Sequence, residues 1–370
     1  MPVIDLKKIG QPLTIGVEEE FHIVDLQTRR PVPRAAELLA RVADDRTVPE
    51  LQASMVETNS MVCTTLDEVR ADLGGLRTRL VAAATSLGLG VVAAGSVPLM
   101  DLDELAPWPS ERNDAMLAEY AVIAREQIIC GVQTQVGIDD RDLAARALSA
   151  ALVWAPIPLA LTASSPYWMG VDTGYASFRT QVWGRWPSAG VPSIFTSAAH
   201  YDAVVSGLVD SGVILDRGMV YFDGRLSVRF PTVEFRVCDA SPLIDDVILV
   251  TGLWRALALT CIEALDTSGT PDVSRELVQA ARWRAARSGL SGSLIAPTTG
   301  RAVPATDAVE LMLDHVRPAL EALGDWEQVR ELATAALARG GSAQRQRAAA
   351  ARTGGLTGVV DALIEETARR

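Results

Sequence analysis

The sequence is poor in the residues that build metal centres from nitrogen and sulfur. It has three histidines, His22, His200 and His315, and four cysteines, Cys63, Cys130, Cys238 and Cys261. That count excludes a His-rich metal site. The cysteines form no C-x-x-C pair, which excludes a zinc ribbon and a disulfide framework and points to a reducing compartment. No apolar run reaches the length of a membrane span without a charge or glycine, and no basic stretch followed by an apolar one opens the chain. The expectation is a cytoplasmic protein with no membrane partner. Basic residues are outnumbered, 34 against 46 acidic, for a net charge of −12. A nucleic acid held on a general basic surface is therefore excluded, although a local basic pocket for ATP is not. Aromatic residues make up only 5%.

The remainder is an ordinary globular balance, 49% hydrophobic and 22% charged over 370 residues. No repeat and no low-complexity segment divides it. The expectation is one domain over residues 1–370, with a helical carboxy-terminal part from about residue 243. The period of the apolar residues predicts helices over 35–43, 65–87, 113–127, 198–213 and a long apolar one over 139–161. Thr64 or Thr65 begins the second, with Asp67 or Glu68 in its first turn. Gly88-Leu89-Gly90 precedes a strand instead of linking a strand to a helix, so it is not a dinucleotide-binding loop. Residues 164–196 hold three prolines and six aromatic residues between Tyr167 and Trp186. They are too apolar for a solvated linker, and so long an ordered loop points to function.

The stretch Thr14-Ile15-Gly16-Val17-Glu18-Glu19-Glu20-Phe21-His22-Ile23-Val24 alternates as a strand does. Ile15, Val17, Phe21 and Ile23 share one face with Glu19, and Glu18, Glu20 and His22 share the other. Two carboxylates at alternate positions lie about 7 Å apart or less, and burying them unpaired costs on the order of several kcal/mol each. A cation belongs between them, and a hard divalent metal suits oxygen donors. Glu19, on the apolar side, is expected to be salt-bridged beneath covering helices. Three further strands repeat the pattern of two polar residues on one face: Glu57 and Asn59, Gln133 and Gln135, and Glu234 and Arg236. A solvated sheet face would also read this way. Carboxylates, amides and one arginine together suit a concave site for metal ions and a phosphate, with Glu18, Glu20, Glu57 and Glu234 as magnesium ligands. The fold class expected is α+β, a mostly antiparallel sheet covered by helices.

These residues also resemble a known family. Gly16-Val17-Glu18-Glu19-Glu20-Phe21, Val56-Glu57-Thr58-Asn59, Cys130-Gly131-Val132-Gln133, Asp172 to Trp183, Pro231 to Arg236, Ala286 to Leu290 and Gly341 to Arg347 are similar, in order and spacing, to the YbdK-type carboxylate–amine ligases of the type 2 glutamate–cysteine ligase family. The resemblance implies a curved antiparallel sheet forming a funnel, like the glutamine synthetase catalytic domain. It implies ATP and Mg2+ as cofactors, small carboxylate and amine substrates, a homodimer, and an amide formed through an acyl phosphate. Carried over by residue, Glu18, Glu20, Glu57 and Glu234 match metal-binding positions. Arg236 matches a catalytic arginine that stabilises the transferring phosphoryl group. Arg179 is a catalytic or substrate-side residue, or else stacks on Trp183 or Trp186 as a structural cation–π contact. Glu57, Asn59, Gln133 and Gln135 fall on the substrate side. Glu18, Glu20, Arg287, Arg345 and Arg347 fall on the nucleotide side, with Trp283 beside Arg287. Many members carry histidines where this chain has Gln133 and Gln135. The alternative is therefore a scaffold that binds nucleotide or ligand with catalysis lost or redirected, or an amide synthetase of secondary metabolism.

Overall fold

The computed structural model describes residues 13–265 and 273–369. One antiparallel sheet is built from β1 (Ile15–Asp25), β2 (Thr47–Pro49), β3 (Met55–Asn59), β4 (Leu89–Val92), β5 (Val132–Gly137), β6 (Gly224–Leu226) and β7 (Thr232–Phe235). The strand path is β2-β3-β1-β5-β7-β6, and β4 pairs with the second half of β1. The long strand β1 is the hub. Its residues Glu18–His22 pair with β3, Ile15–Glu19 with β5, and His22–Asp25 with β4.

The apolar face of this sheet is the core. Ile15, Val17, Val132, Val136, Val233 and Phe235 are all buried in one cluster with the helices Leu66–Ser86, Arg141–Ala151 and Ile244–Leu265. Phe235 stacks on Trp254 at 4.1 Å and 7°. The helix Leu66–Ser86 begins as its sequence requires. Thr65 accepts from the Glu68 N–H, Glu68 returns to the cap, and Leu66, Val69, Leu73, Leu76 and Leu80 form the buried stripe. By length and composition the helix Ile244–Leu265 is apolar enough to cross a bilayer, but 83% of that window is buried inside the fold. It is the central core helix.

Three expectations need correction. The long helix over 139–161 is two helices, Arg141–Ala151 and Pro156–Thr162, bent by 68°. Pro156 and Pro158 lack the N–H groups that would continue the first helix, and Asp140 caps it by accepting from the Asp142 and Leu143 N–H groups. The helix over 113–127 is Glu111–Tyr120 and a short turn Val122–Arg125, parted at Ala121, whose φ is 49°. The carboxy-terminal part is not helical throughout, since residues 288–306 hold a small hairpin, Ser293–Ile295 with Ala302–Pro304. In the loop 164–196, Tyr167–Trp168 pairs with Val171–Asp172, and a short helix spans Arg179–Trp183.

The carboxy-terminal helices bring a testable pH term. Asp246 is 4% exposed on the helix Ile244–Leu265 and accepts from Arg339. Burial pushes its carboxyl up to about 6, against the pull of Arg339 and Arg345. The folded state therefore holds a proton that the unfolded chain releases at lower pH. Stability contributed by this group is present below the ordinary aspartate range and is lost as pH rises to about 6. Asp246→Asn removes the titration. The stability difference between variant and wild type, from urea melts, is expected to move by about 3 kcal/mol in the variant's favour between pH 4 and pH 7. A difference independent of pH counts against it.

Candidate functional site

The polar face of the sheet lines a cavity of about 410 Å³. The register assembles it. Glu18 lies opposite Asn59 on β3 and Gln133 on β5, Glu20 lies opposite Glu57, and Gln135 lies opposite Glu234. Every second residue of four neighbouring strands thus meets on one surface.

Two acidic groups emerge. In the first, Glu20, Glu50 and Glu57 each offer an oxygen, and the three oxygens lie within 4.8 Å of one another. Glu20 accepts from the Gly131 N–H at 2.5 Å and from Gln133 Nε2 at 2.7 Å, while Glu57 accepts from Asn59 Nδ2 at 2.9 Å. Burial, with Glu50 alongside, pushes Glu20 up to about 7. Burial and the neighbouring carboxylates of Glu50, Glu18 and Glu20 hold Glu57 well above the ordinary glutamate range. In the second group, Glu234 accepts from Arg225 Nε at 2.8 Å and Nη2 at 3.1 Å, and also from Arg236 Nη1. Burial works to raise Glu234, but Arg236 and Arg225 outweigh it and hold the carboxyl low. Glu18 is raised by burial and then by Glu234, and it accepts from Gln135 Nε2.

The two glutamines use both ends of their amides, and Gln133 bridges the two groups. Gln133 donates to Glu20 and accepts from Arg236 Nη1 at 2.6 Å. Gln135 donates to Glu18 and accepts from the Thr232 hydroxyl at 2.6 Å. Gln133 is thus a neutral linker between carboxylate and cation, and Gln135 ties Glu18 to a hydroxyl of β7. The aromatic loop closes the cavity with Arg179, Trp183 and Trp186. The guanidinium carbons of Arg179 and Arg236 lie 5.6 and 5.7 Å from the Trp183 ring centre.

Glu18 also lines a second cavity, of about 430 Å³, with a largely apolar wall of Ile15, Val17, Met61, Val62, Phe230 and Pro231. Met61, Val62 and Phe230 are exposed, at 57%, 77% and 60%.

Of the residues singled out from sequence, the structure brings Glu18, Glu20, Glu57, Gln133, Arg179 and Arg236 to the first cavity, and Glu18, Asn59 and Gln135 to the second. Glu234 sits beside them, paired with arginines and outside the carboxylate triad. Arg287, Arg345 and Arg347 line neither cavity. Arg287 donates to the Gly174 carbonyl over the Tyr175 ring, Arg347 pairs with Asp172 at 2.6 Å, and Arg345 pairs with Glu366 at 2.9 Å. Trp283 donates to the Tyr175 hydroxyl at 3.3 Å. His22 is fully buried beyond Glu20 and lines neither cavity. Burial holds its imidazole down at about 4. Sequence reasoning missed Glu50 and Arg225. Arg225 was readable, because counting back through the hairpin that ends in β7 places it opposite Glu234. Glu50 follows the short strand β2, whose pairing with β3 had no motif to announce it.

A family model for glutamate–cysteine ligase family 2 matches residues 14–362. A Frankia casuarinae protein provisionally named glutamate–cysteine ligase 2-2 is 51% identical over 356 residues, covering 96% of this chain but 41% of that protein. A Mycolicibacterium smegmatis protein with the same provisional name is 51% identical over 360 residues, covering 96% of this chain and 90% of the relative. The chain thus spans about two fifths of the Frankia relative and most of the mycobacterial one. Among solved structures, a bifunctional glutathione synthetase from Pasteurella multocida superimposes with a TM-score of 0.73 at 17% identity, over 98% of this chain and 53% of that one. A glutamate–cysteine ligase from Francisella tularensis, solved with AMP, gives 0.64 at 12% identity, over 97% and 89%. These two share the α+β, glutamine synthetase-like fold expected from the sequence. With a matching model over nearly the whole chain and relatives at 51% identity, the chain belongs to glutamate–cysteine ligase family 2.

Proposed function

We propose that the chain is an ATP-dependent carboxylate–amine ligase that joins a small carboxylic or amino acid, such as glutamate, to an amine. The observation that carries this reading is the place of Glu18 on the walls of two unlike cavities. The apolar one suits a nucleobase, packed against Met61 and Phe230. The polar one, with four arginines and four carboxylates on its wall, suits an acid and an amine. In the first step a carboxylate oxygen of the acid attacks the γ-phosphorus, the bond to the β-phosphate oxygen breaks, and ADP leaves. In the second the amine nitrogen attacks the acyl carbon, inorganic phosphate leaves with its electron pair, and the nitrogen loses a proton. Arg236 neutralises charge on the phosphoryl group as it moves, and Arg179 orients the acid.

The donor set fits a divalent metal. Three half-buried carboxylates converge, and all the donors are oxygen, as Mg2+ prefers. Glu20, Glu50 and Glu57 would hold it, with Glu18 and Glu234 beside the phosphates. Magnesium there supplies charge neutralisation of phosphate oxygens. The reading extends to a cytoplasmic homodimer, on the strength of the family resemblance and four unpaired cysteines.

The test is ADP release from magnesium-ATP with glutamate and a panel of amines, the product identified by mass. Phe230→Ala is expected to raise the KM for ATP several-fold with kcat held within about twofold, since burying an aromatic ring contributes on the order of 1–3 kcal/mol. No turnover with any pair and no ATP binding refutes the proposal. Binding without ADP formation favours the non-catalytic scaffold.

A further inference from the structure

Arg179 stands at the wall of the polar cavity, yet it is only 3% exposed and makes no close ion pair. Its Nη1 and Nη2 donate to the Val237 and Arg236 carbonyls at 3.3 Å each, and Nε is buried without a partner. Behind it lies Asp239, fully buried, with Oδ1 3.9 Å from Nη1. That carboxylate is tied to both the backbone and the side chain of its neighbour. Oδ2 accepts from the Ser165 hydroxyl at 2.7 Å, and the same hydroxyl accepts from the Arg179 N–H at 2.9 Å. Oδ1 accepts from the Ser177 hydroxyl at 2.7 Å, on the turn that opens the Arg179 helix. Two glycines make the room. A Cβ on Gly95 would come within 2.6 Å of Asp239 Oδ2, and one on Gly131 would collide with Arg179 Nη2. Gly131 pairs with Asp239 across an isolated bridge, and its N–H donates to Glu20.

We propose that Asp239, through Ser165 and Ser177, is the positioning residue for Arg179, with Gly95 and Gly131 as the clearances that let the pair sit behind the cavity wall. What Arg179 then does to a substrate rests on the ligase reading; its placement by Asp239 does not. A compensating charge must lie near so deeply buried a carboxylate, and Arg179 supplies it. The serines hold the carboxylate by hydrogen bonds that Arg179 does not have to make. The pair therefore stays loose, at 3.9 Å, and the guanidinium keeps donor capacity for an incoming anion.

The test is Asp239→Asn in the full chain, which keeps the size and removes the charge. In its crystal structure the Arg179 guanidinium is expected to leave the Val237 and Arg236 carbonyls while the sheet is unchanged. In kinetics the KM for the acid is expected to rise tenfold or more with a smaller change in kcat. In an Arg179→Met background the same substitution is expected to add less than twofold. An unmoved Arg179, or an equal loss in both backgrounds, overturns the proposal. If Asp239→Asn does not fold, Ser177→Ala removes one hydrogen bond from the same carboxylate and is judged by the same three readings. A wild-type enzyme that joins no acid to any amine refutes the ligase reading, and the crystal structure still decides the placement of Arg179.

Discussion

Glu57→Gln is expected to abolish magnesium-dependent ADP formation while leaving the metal-free protein at least as stable as wild type. The two halves have one cause. Glu57 sits among Glu20 and Glu50 with one oxygen of each within 4.8 Å of the others, and Arg179 and Arg236 offset only part of that charge, at Glu20. In the metal-free protein that crowding, on top of burial, disfavours the ionised state and holds Glu57 well above its ordinary range. A neutral amide of the same shape removes the repulsion and still accepts from Asn59. For a bound magnesium the sign reverses, because the same carboxylate is then a charged ligand. Losing one such electrostatic contact to a transferring phosphoryl group is expected to lower kcat by about 10²–10³-fold or more. The checks are steady-state ADP release and a thermal melt in chelator. Adding magnesium should raise the wild-type melting temperature and leave that of Glu57→Gln nearly unmoved. Full activity in the variant would remove the carboxylate triad from the mechanism. A strongly destabilised variant would mean that the triad is held together by something other than a missing cation.

How much of this was legible in sequence follows from which contacts are local. Alternation along β1 separates Glu18 and Glu20 from Glu19 with no further information, because a strand has only two faces. The same rule pairs Glu57 with Asn59 and Glu234 with Arg236, and the observed face is the expected one. What alternation does not carry is which strand lies beside which. Glu50 joins Glu20 and Glu57 only because β2 folds back on β3. Arg225 takes up Glu234 only because β6 pairs with β7. For Arg287, Arg345 and Arg347, read on the nucleotide side, the partners are likewise invisible in sequence, since a basic residue has no partner until the tertiary fold supplies one. Here Gly174, Glu366 and Asp172 supply it. The bend at 152–155 is different. Pro156 and Pro158 were visible, but the apolar period runs on through them, and periodicity was the weaker guide.

Arg77→Met is expected to destabilise the protein by about 3–5 kcal/mol, the largest stability loss of any single change considered, although Arg77 touches neither cavity. Glu19 is 2% exposed and points away from its two neighbours into the helices. Arg77 meets it there, with Nη2 at 2.5 Å from Oε1 and Nε at 3.2 Å from Oε2. The same guanidinium donates to the Pro242 carbonyl at 2.7 Å and the Ser241 carbonyl at 2.8 Å, at the entry to the helix Ile244–Leu265. One side chain thus ties the hub strand, the helix Leu66–Ser86 and the start of the central core helix. Removing it strands a carboxylate in an apolar interior and leaves two carbonyls short of a donor. The pair itself is a different matter. Desolvating both charges offsets most of their attraction, so replacing both with apolar residues of similar size is expected to cost far less than replacing one. Glu19→Leu with Arg77→Met should recover most of the loss in urea melts, less a residue of about 1–3 kcal/mol for the two unsatisfied carbonyls. A double variant as destabilised as Arg77→Met alone would mean that the pair is net stabilising by itself, and an additive one would mean that the two side chains are not coupled. If the double variant recovers stability but loses ADP formation, the bond from Glu19 to Arg77 also sets the lie of β1, and with it the separation of Glu18 and Glu20 on the opposite face.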